Sequence, residues 1–237
     1  MTPAVLEFAG VSKDYHGLRP LRIAELRVAA ADHVAILGFD QVSAEVFVNL
    51  ATGATLPDAG EVTVFGRPTK AINDSADWLA TVDRFGIVSE RAVLLDALTV
   101  IQNLAMPFTL EIEPPPDEVR VRAEALAREV GLPEASWTKP VAGLDAAGWV
   151  RVRFGRSIAL NPSILLLEHV SARLPREQVA ALGAQMRAVA ARRRIALVAA
   201  TADDLFAKAV ADSVLTLEPA TGRLKARRPW FGRLGAP

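Results

Sequence analysis

The sequence predicts an α/β fold: a buried parallel sheet, an antiparallel layer beside it, and a helix-rich segment set into the chain. Three observations carry this. Residues 34–37, 164–167 and 195–199 are continuous apolar runs of strand length, the pattern of strands covered on both faces. Residues 4–28 instead alternate around Gly and Pro, as edge strands of an antiparallel layer do. Residues 99–130 abandon strand patterning for helical spacing around one break.

Taken in order, residues 34–38 read as a short strand ending in glycine, and residues 49–53 as the end of the helix that follows. Residues 60–66 form a strand bounded by turn residues, and residues 85–89 another. A helix is expected over 99–108 and, after Pro114-Pro115-Pro116, a second over 117–130. On that second helix Glu118, Arg122, Glu124 and Arg128 fall on the solvated face, with Val121, Leu126 and Val130 supplying apolar contacts. A last helix over 178–192 runs into Arg192, Arg193 and Arg194, which the helix dipole and solubility explain.

The bulk numbers exclude several classes. At 237 residues, 51% hydrophobic and 23% charged, the chain can bury a substantial core. Lys plus Arg (27) balances Asp plus Glu (27), so no global field points to nucleic acid. There is no cysteine, which excludes disulfides and thiolate ligands. The three histidines have no metal-site spacing, and His16 and His33 read as surface or turn residues. No signal peptide is expected at the N-terminus, and no run approaches the ~20 apolar residues of a membrane span. A cytoplasmic protein is expected.

The loop after residue 38 is the most informative segment. A strand–glycine–helix arrangement that binds phosphate needs a second glycine, a lysine and a hydroxyl residue in succession. This chain has Ser43, Ala44 and Glu45 there. Ser43 is expected as the helix N-cap, and Glu45 in the first turn as a complement to the dipole. The protein would then supply its own anion where a phosphate would sit.

Six framework segments, in order, carry a resemblance. They are residues 11–15 (VSKDY), 57–62 (PDAGEV), 94–107 (LLDALTVIQNLAMP), 122–132, 156–162 (RSIALNP) before ILLL, and 211–224. Together they resemble the ATP-binding subunit of an ABC transporter over nearly the whole chain, most closely the type serving lipid or lipoprotein export. The resemblance implies a P-loop NTPase (RecA-like) core with an antiparallel β layer and a helical subdomain. It would be one domain over 1–222, its helical subdomain at about 91–150, followed by a basic aromatic tail over 223–237. That tail is either a frayed terminus or a contact to a membrane subunit or bilayer.

The departures from the family's motifs lie where the chemistry would be. The lysine that holds β- and γ-phosphates aligns with Ala44, and the hydroxyl that ligates Mg²⁺ with Glu45. The Q-loop glutamine aligns with Glu90. The signature aligns with Leu144, Asp145, Ala146, Ala147 and Gly148, where Asp145 would cap a helix. The Walker B acid and the general base align with Glu168 and His169, the D-loop aspartate with Pro175 and the switch histidine with Ala202. Gly38, Asp40 and Ser43 remain as a vestigial loop, and Tyr15 reads either as an adenine-stacking ring or as a packed or interface tyrosine. Glu168 reads best as a structural carboxylate capping a loop, and His169 as a histidine hydrogen-bonded at a strand end. A carboxylate about 4 Å from a phosphate charge repels it by roughly 1–4 kcal/mol.

The resulting expectation is a non-catalytic ABC-type subunit with a structural or regulatory role and no cofactor, peripheral on the inner face of the membrane. ATP and Mg²⁺ enter only under the alternative, a divergent subunit that binds or weakly hydrolyses ATP. By resemblance the partners are transmembrane permease subunits, contacted through Glu90, Leu95, Leu98, Asn103, Met106 and Phe108, and a dimer mate that is either a second copy or an intact subunit. No metal site and no nucleic acid partner are expected.

Overall fold

The computed structural model describes residues 3–226. The chain opens with β1 (Ala4–Lys13), β2 (Leu21–Ala29), β3 (His33–Leu37), α1 (Gln41–Ala51), β4 (Ala59–Val64) and β5 (Arg67–Pro68). It continues through α2 (Ser75–Val82), β6 (Phe85–Val88), α3 (Val100–Ala105), α4 (Asp117–Glu129) and α5 (Ala146–Ile158). It closes with β7 (Ile164–Glu168), α6 (Arg176–Arg193), β8 (Ala196–Thr201), α7 (Asp204–Val210), β9 (Ser213–Glu218) and β10 (Arg223–Ala226).

Two sheets result. The first is antiparallel, in the order β2-β1-β4-β5. The second runs β10-β9-β3-β8-β7-β6 and is parallel except for β10 at its edge. Side chains of its central strands alternate between two cores. Ile36, Ile164, Leu166 and Val198 join α1 and the antiparallel sheet, while Leu165, Leu167, Leu197 and Ala199 join the helices on the far face. Burial on both faces is what the unbroken apolar runs require, at roughly 1.5–3 kcal/mol for each large side chain. α1 is clamped between the sheets, with Phe47 stacked on Phe8 at 5.1 Å.

The α/β architecture read from the sequence is thus the observed one, and several details need correction. Val121 is 57% exposed, because two residues beyond the buried Val119 it has turned about 200° around the helix. Arg193 is not a free terminal charge: it donates to Glu129 at 2.9 Å and to the Ile158 carbonyl at 2.7 Å, tying α6 to α4 and α5. His33 is buried at the start of β3, its Nδ1 3.2 Å from the Asp212 carboxylate. Helices α2 and α7 gave no apolar pattern long enough to read; each is started by an aspartate N-cap, Asp74 and Asp203. Residues 223–226 pair with β9 as a strand, and the rest of the tail lies outside the described residues. Among the described residues, no helix is long and apolar enough to cross a membrane.

Asn103, expected at a docking surface, is fully buried. Its Oδ1 accepts from the Leu95 N–H at 3.0 Å, and its Nδ2 donates to the carbonyls of Leu95, Leu98 and Thr99. It holds the loop that enters α3 instead of offering a contact. Asn103→Ala leaves those groups unpaired and should lower stability by about 2–3 kcal/mol in denaturant titration, with the fold retained.

Candidate functional site

The site forms where β3 and β7 end and α1 begins. Gly38 leaves β3 at φ 102°, a conformation open to glycine, and a Cβ there would lie 3.0 Å from the Leu217 carbonyl oxygen. Phe39 then turns into the core beside Phe47. Asp40 follows as the N-cap: its carboxylate accepts from the Ser43 N–H at 2.7 Å, and the Asp40 N–H donates to Ser43 Oγ at 3.0 Å. The expected cap at Ser43 is therefore corrected to Asp40, and Glu45 lies beyond the first turn. The reciprocal capping box starts the helix earlier than the sequence reading placed it.

That register aims each following side chain. Ala44 is completely buried in the core, so a lysine grafted there would enter the apolar cluster. Gln41 and Glu45, one helical turn apart, lie together outside the core. Gln41 Nε2 donates to Glu168 at 3.0 Å. Glu168 ends β7 with a side chain of 0% exposure, and both its oxygens accept from Arg91, at 3.3 Å from Nε and 2.6 Å from Nη2. Arg91 Nη1 reaches Glu45 at 3.2 Å. Burial pushes the Arg91 guanidinium down, but the hydrogen bond and charge of Glu168, with the charge of Glu45, outweigh it and hold it higher than usual. Glu168 is thus one end of an ion-pair bridge, not the loop cap expected from sequence.

His169 follows at φ 44°, with Nε2 buried and without a partner, so the expected hydrogen-bonded histidine is not found. The Asp40 carboxyl is held below its usual range by the Ser43 hydroxyl, then by backbone N–H donors, with the His169 charge adding a smaller part. Tyr15 packs half-buried against the core, its ring pressed on Gly17, where a Cβ would lie 2.5 Å from Cε2. Burial, and after it the charge of Asp40, raises the Tyr15 phenol.

Residues 144–148, which by the resemblance align with the signature, lead into α5, with Asp145 accepting from the Gly148 N–H at 2.8 Å, the cap the sequence predicts; Leu144 is half-buried and Ala147 buried. Ala146, Trp149, Glu90, Arg173 and Glu168 line a cavity of roughly 290 Å³, at whose edge Glu90 pairs with Arg173 at 2.9 Å. Ala202 is exposed after β8, and Pro175 precedes α6. Of the expected docking residues, Glu90 and Leu95 are exposed, whereas Leu98, Met106 and Phe108 are half-buried, the last under the Arg122 guanidinium at 3.7 Å. Sequence reasoning missed Arg91 and Gln41. The signal available was indirect: an acid at the end of a buried strand needs a cation.

The fold is that of the ATP-binding domains of ABC transporters. It aligns with CbiO1 of Clostridium perfringens, described as part of the ABC transporter complex cbiONQ, at a TM-score of 0.77 and 20% identity, covering 93% of this chain and 86% of that one. It aligns with MJ0796, solved as a dimer bound to ADP and Pi, at 0.75 and 20%, covering 95% and 100%. The curated relatives are ABC transporter ATP-binding subunits. The lipoprotein-releasing system ATP-binding protein LolD of Saccharophagus degradans is 26% identical over 87% of this chain and 92% of its own length. The methionine import ATP-binding protein MetN of Leifsonia xyli is 28% identical over 91% of this chain, which spans 63% of that protein. No protein-family model matches the chain.

These comparisons overturn the expectation of no cofactor: the relatives are ATP-binding subunits, and such subunits bind ATP and Mg²⁺. The residues present fit that ligand in part. Glu45 and Glu168 are two carboxylates of the kind that, with phosphate oxygens, hold Mg²⁺, and Tyr15 offers a ring; the buried Ala44 offers no cation to a phosphate.

Two measurements check the geometry. Arg91→Ala leaves Glu168 with Gln41 as its remaining side-chain donor. Between the near-zero value of exposed pairs and the 3–5 kcal/mol of buried ones, a loss of about 2 kcal/mol in denaturant midpoint analysis is expected. Asp40→Ala should cost about 1 kcal/mol as a lost cap. Because the folded Asp40 carboxyl is depressed, its contribution is full above the unfolded value near 4 and disappears as pH falls through the folded one. The difference between the unaltered and variant chains should accordingly be flat from pH 7 to about 5 and shrink below about 4.

Proposed function

We propose that this chain is the nucleotide-binding subunit of an ABC transport complex whose own site is silent in ATP hydrolysis, so that its role is structural or regulatory. One observation carries this reading: the scaffold that presents the phosphate site is kept while the groups that would cleave ATP are replaced. Ala44 faces the core and Glu45 faces Arg91, while by the resemblance His169 and Ala202 align with the general base and the switch residue. Phosphoryl transfer relies almost wholly on positioned charge, so these losses act on rate more than on fold.

The subunit docks on the cytoplasmic side of transmembrane permease subunits through the groove beside Ala92, Leu94, Met106 and Pro107, with Leu95 and Glu90 at its approach. It pairs with a second copy or with an intact ATP-binding subunit. The description of CbiO1 as part of a transporter complex and the dimeric MJ0796 support this arrangement. The match to nearly the full length of LolD supports a lipid or lipoprotein cargo.

The test is nucleotide binding and turnover by the purified chain, alone and with its permease. ATP binding with turnover at least about 100-fold below that of an intact subunit is expected. Turnover at an intact subunit's rate would overturn the silent reading, and loss of permease co-purification on Leu95→Asp would support the docking face. A second reading, weak hydrolysis through His169, is favoured by the unpartnered Nε2 and the nearby Asp40 charge. Metal-dependent residual turnover abolished by His169→Ala would select it.

A further inference from the structure

Arg91 adds a second link between α1 and the end of β7, which Gln41 already joins: it reaches Glu45 on one side and Glu168 on the other. These two positions are the ones that, by the resemblance, surround a divalent ion. One or two carboxylates with substrate phosphates are an ordinary Mg²⁺ ligand set. The guanidinium and a metal ion therefore make claims on the same oxygens. We propose that Arg91 is a built-in competitor of the divalent ion: in the resting chain it holds Glu45 and Glu168, and metal loading requires its side chain to swing out. This rests on the reading that the site takes ATP with Mg²⁺.

The geometry makes the exchange feasible. Arg91 and Glu45 are 41% and 42% exposed, so the outer half of the bridge opens to water, while Glu168 keeps the donor of Gln41. The fork engages Glu168 through two nitrogens, the charge-assisted arrangement that a metal ion has to beat. The backbone around Arg91 is held independently. Arg153 donates to the carbonyls of Ala92 at 3.0 Å and Glu90 at 3.4 Å, Arg156 to that of Val93 at 2.7 Å, and Arg173 pairs with the Glu90 side chain. Release of Arg91 is therefore a side-chain movement against a fixed strap, which stays pinned to α5 and to the loop after β7.

The experiment titrates Mn²⁺ alone, read by electron paramagnetic resonance of the free ion, into the full chain and its Arg91→Gln and Arg91→Gln/Glu45→Gln variants. Arg91→Gln should bind Mn²⁺ at least about tenfold more tightly than the unaltered chain, the scale of one near-surface charge interaction. The double variant should lose that gain. Arg91→Lys keeps the charge without the fork and should give an intermediate gain; it also serves if Arg91→Gln does not fold, as judged by circular dichroism. Equal Mn²⁺ binding by the unaltered chain and the Arg91 variants would overturn the proposal, as would a gain that survives Glu45→Gln. Because no nucleotide is present, active ATP turnover by the unaltered chain would sink the silent-subunit reading without touching this one.

Discussion

A carboxylate lies at the end of the second sheet's strand β7 with none of its side chain exposed, and the rest of the site is organised by the need to neutralise it. An ionised group removed from water requires a partner charge and donors for its lone pairs. Gln41 supplies one donor and Arg91 supplies the charge and two more. For Gln41 to reach Glu168, α1 must begin at that residue, which the Asp40–Ser43 capping box arranges. The same register sends Ala44, Phe47, Val48 and Ala51 into the core and turns Glu45 toward Arg91. Cap, helix phase and ion-pair bridge are consequences of one another.

This arrangement lets the polar groups of the loop vary at little cost in stability. The two apolar cores are built from strand faces, α1 and the far helices, and draw little from the polar groups of the loop. An alanine at position 44 fills its place in the core without a charge to satisfy. Glu45 adds a carboxylate at a half-open position where Arg91 already meets the buried acid. These residues are locally consistent with one another, as expected of a sequence whose parts agree on one arrangement.

The strands were legible because burial on both faces leaves an unbroken apolar run, and α4 because its charges and apolar residues repeat at helical spacing. Helices α2 and α7 span 8 and 7 residues, too short for periodicity to separate them from loops. Asn103 was misplaced because a polar residue on an apolar helix looks like surface until its four backbone partners are seen. The cap was misplaced by three residues because Asp40 and Ser43 are both good N-caps, and only the capping box decides between them. The Arg91 bridge was invisible for a different reason: its partners are 46 and 77 residues away in the chain, and no local pattern encodes such a contact.

The relatives are ATP-binding subunits, while this chain has Ala44 and Glu45 after its strand–glycine turn, and the two facts meet at the same bridge. A nucleotide site must balance the negative charge of phosphates with cations, and a resting site must balance its own acids. Where lysine and metal serve the first need, the acids can wait for their ligand. Here Ala44 is sealed in the core and brings no charge, so the buried Glu168 would stand uncompensated in the ligand-free chain without a resident cation. Arg91 meets that need at a position reached from the segment between the sheet and α3 instead of from the loop itself. The cation is carried not by α1 but by the connection between β6 and α3. Two carboxylates on separate elements, Glu45 and Glu168, thereby share one side chain.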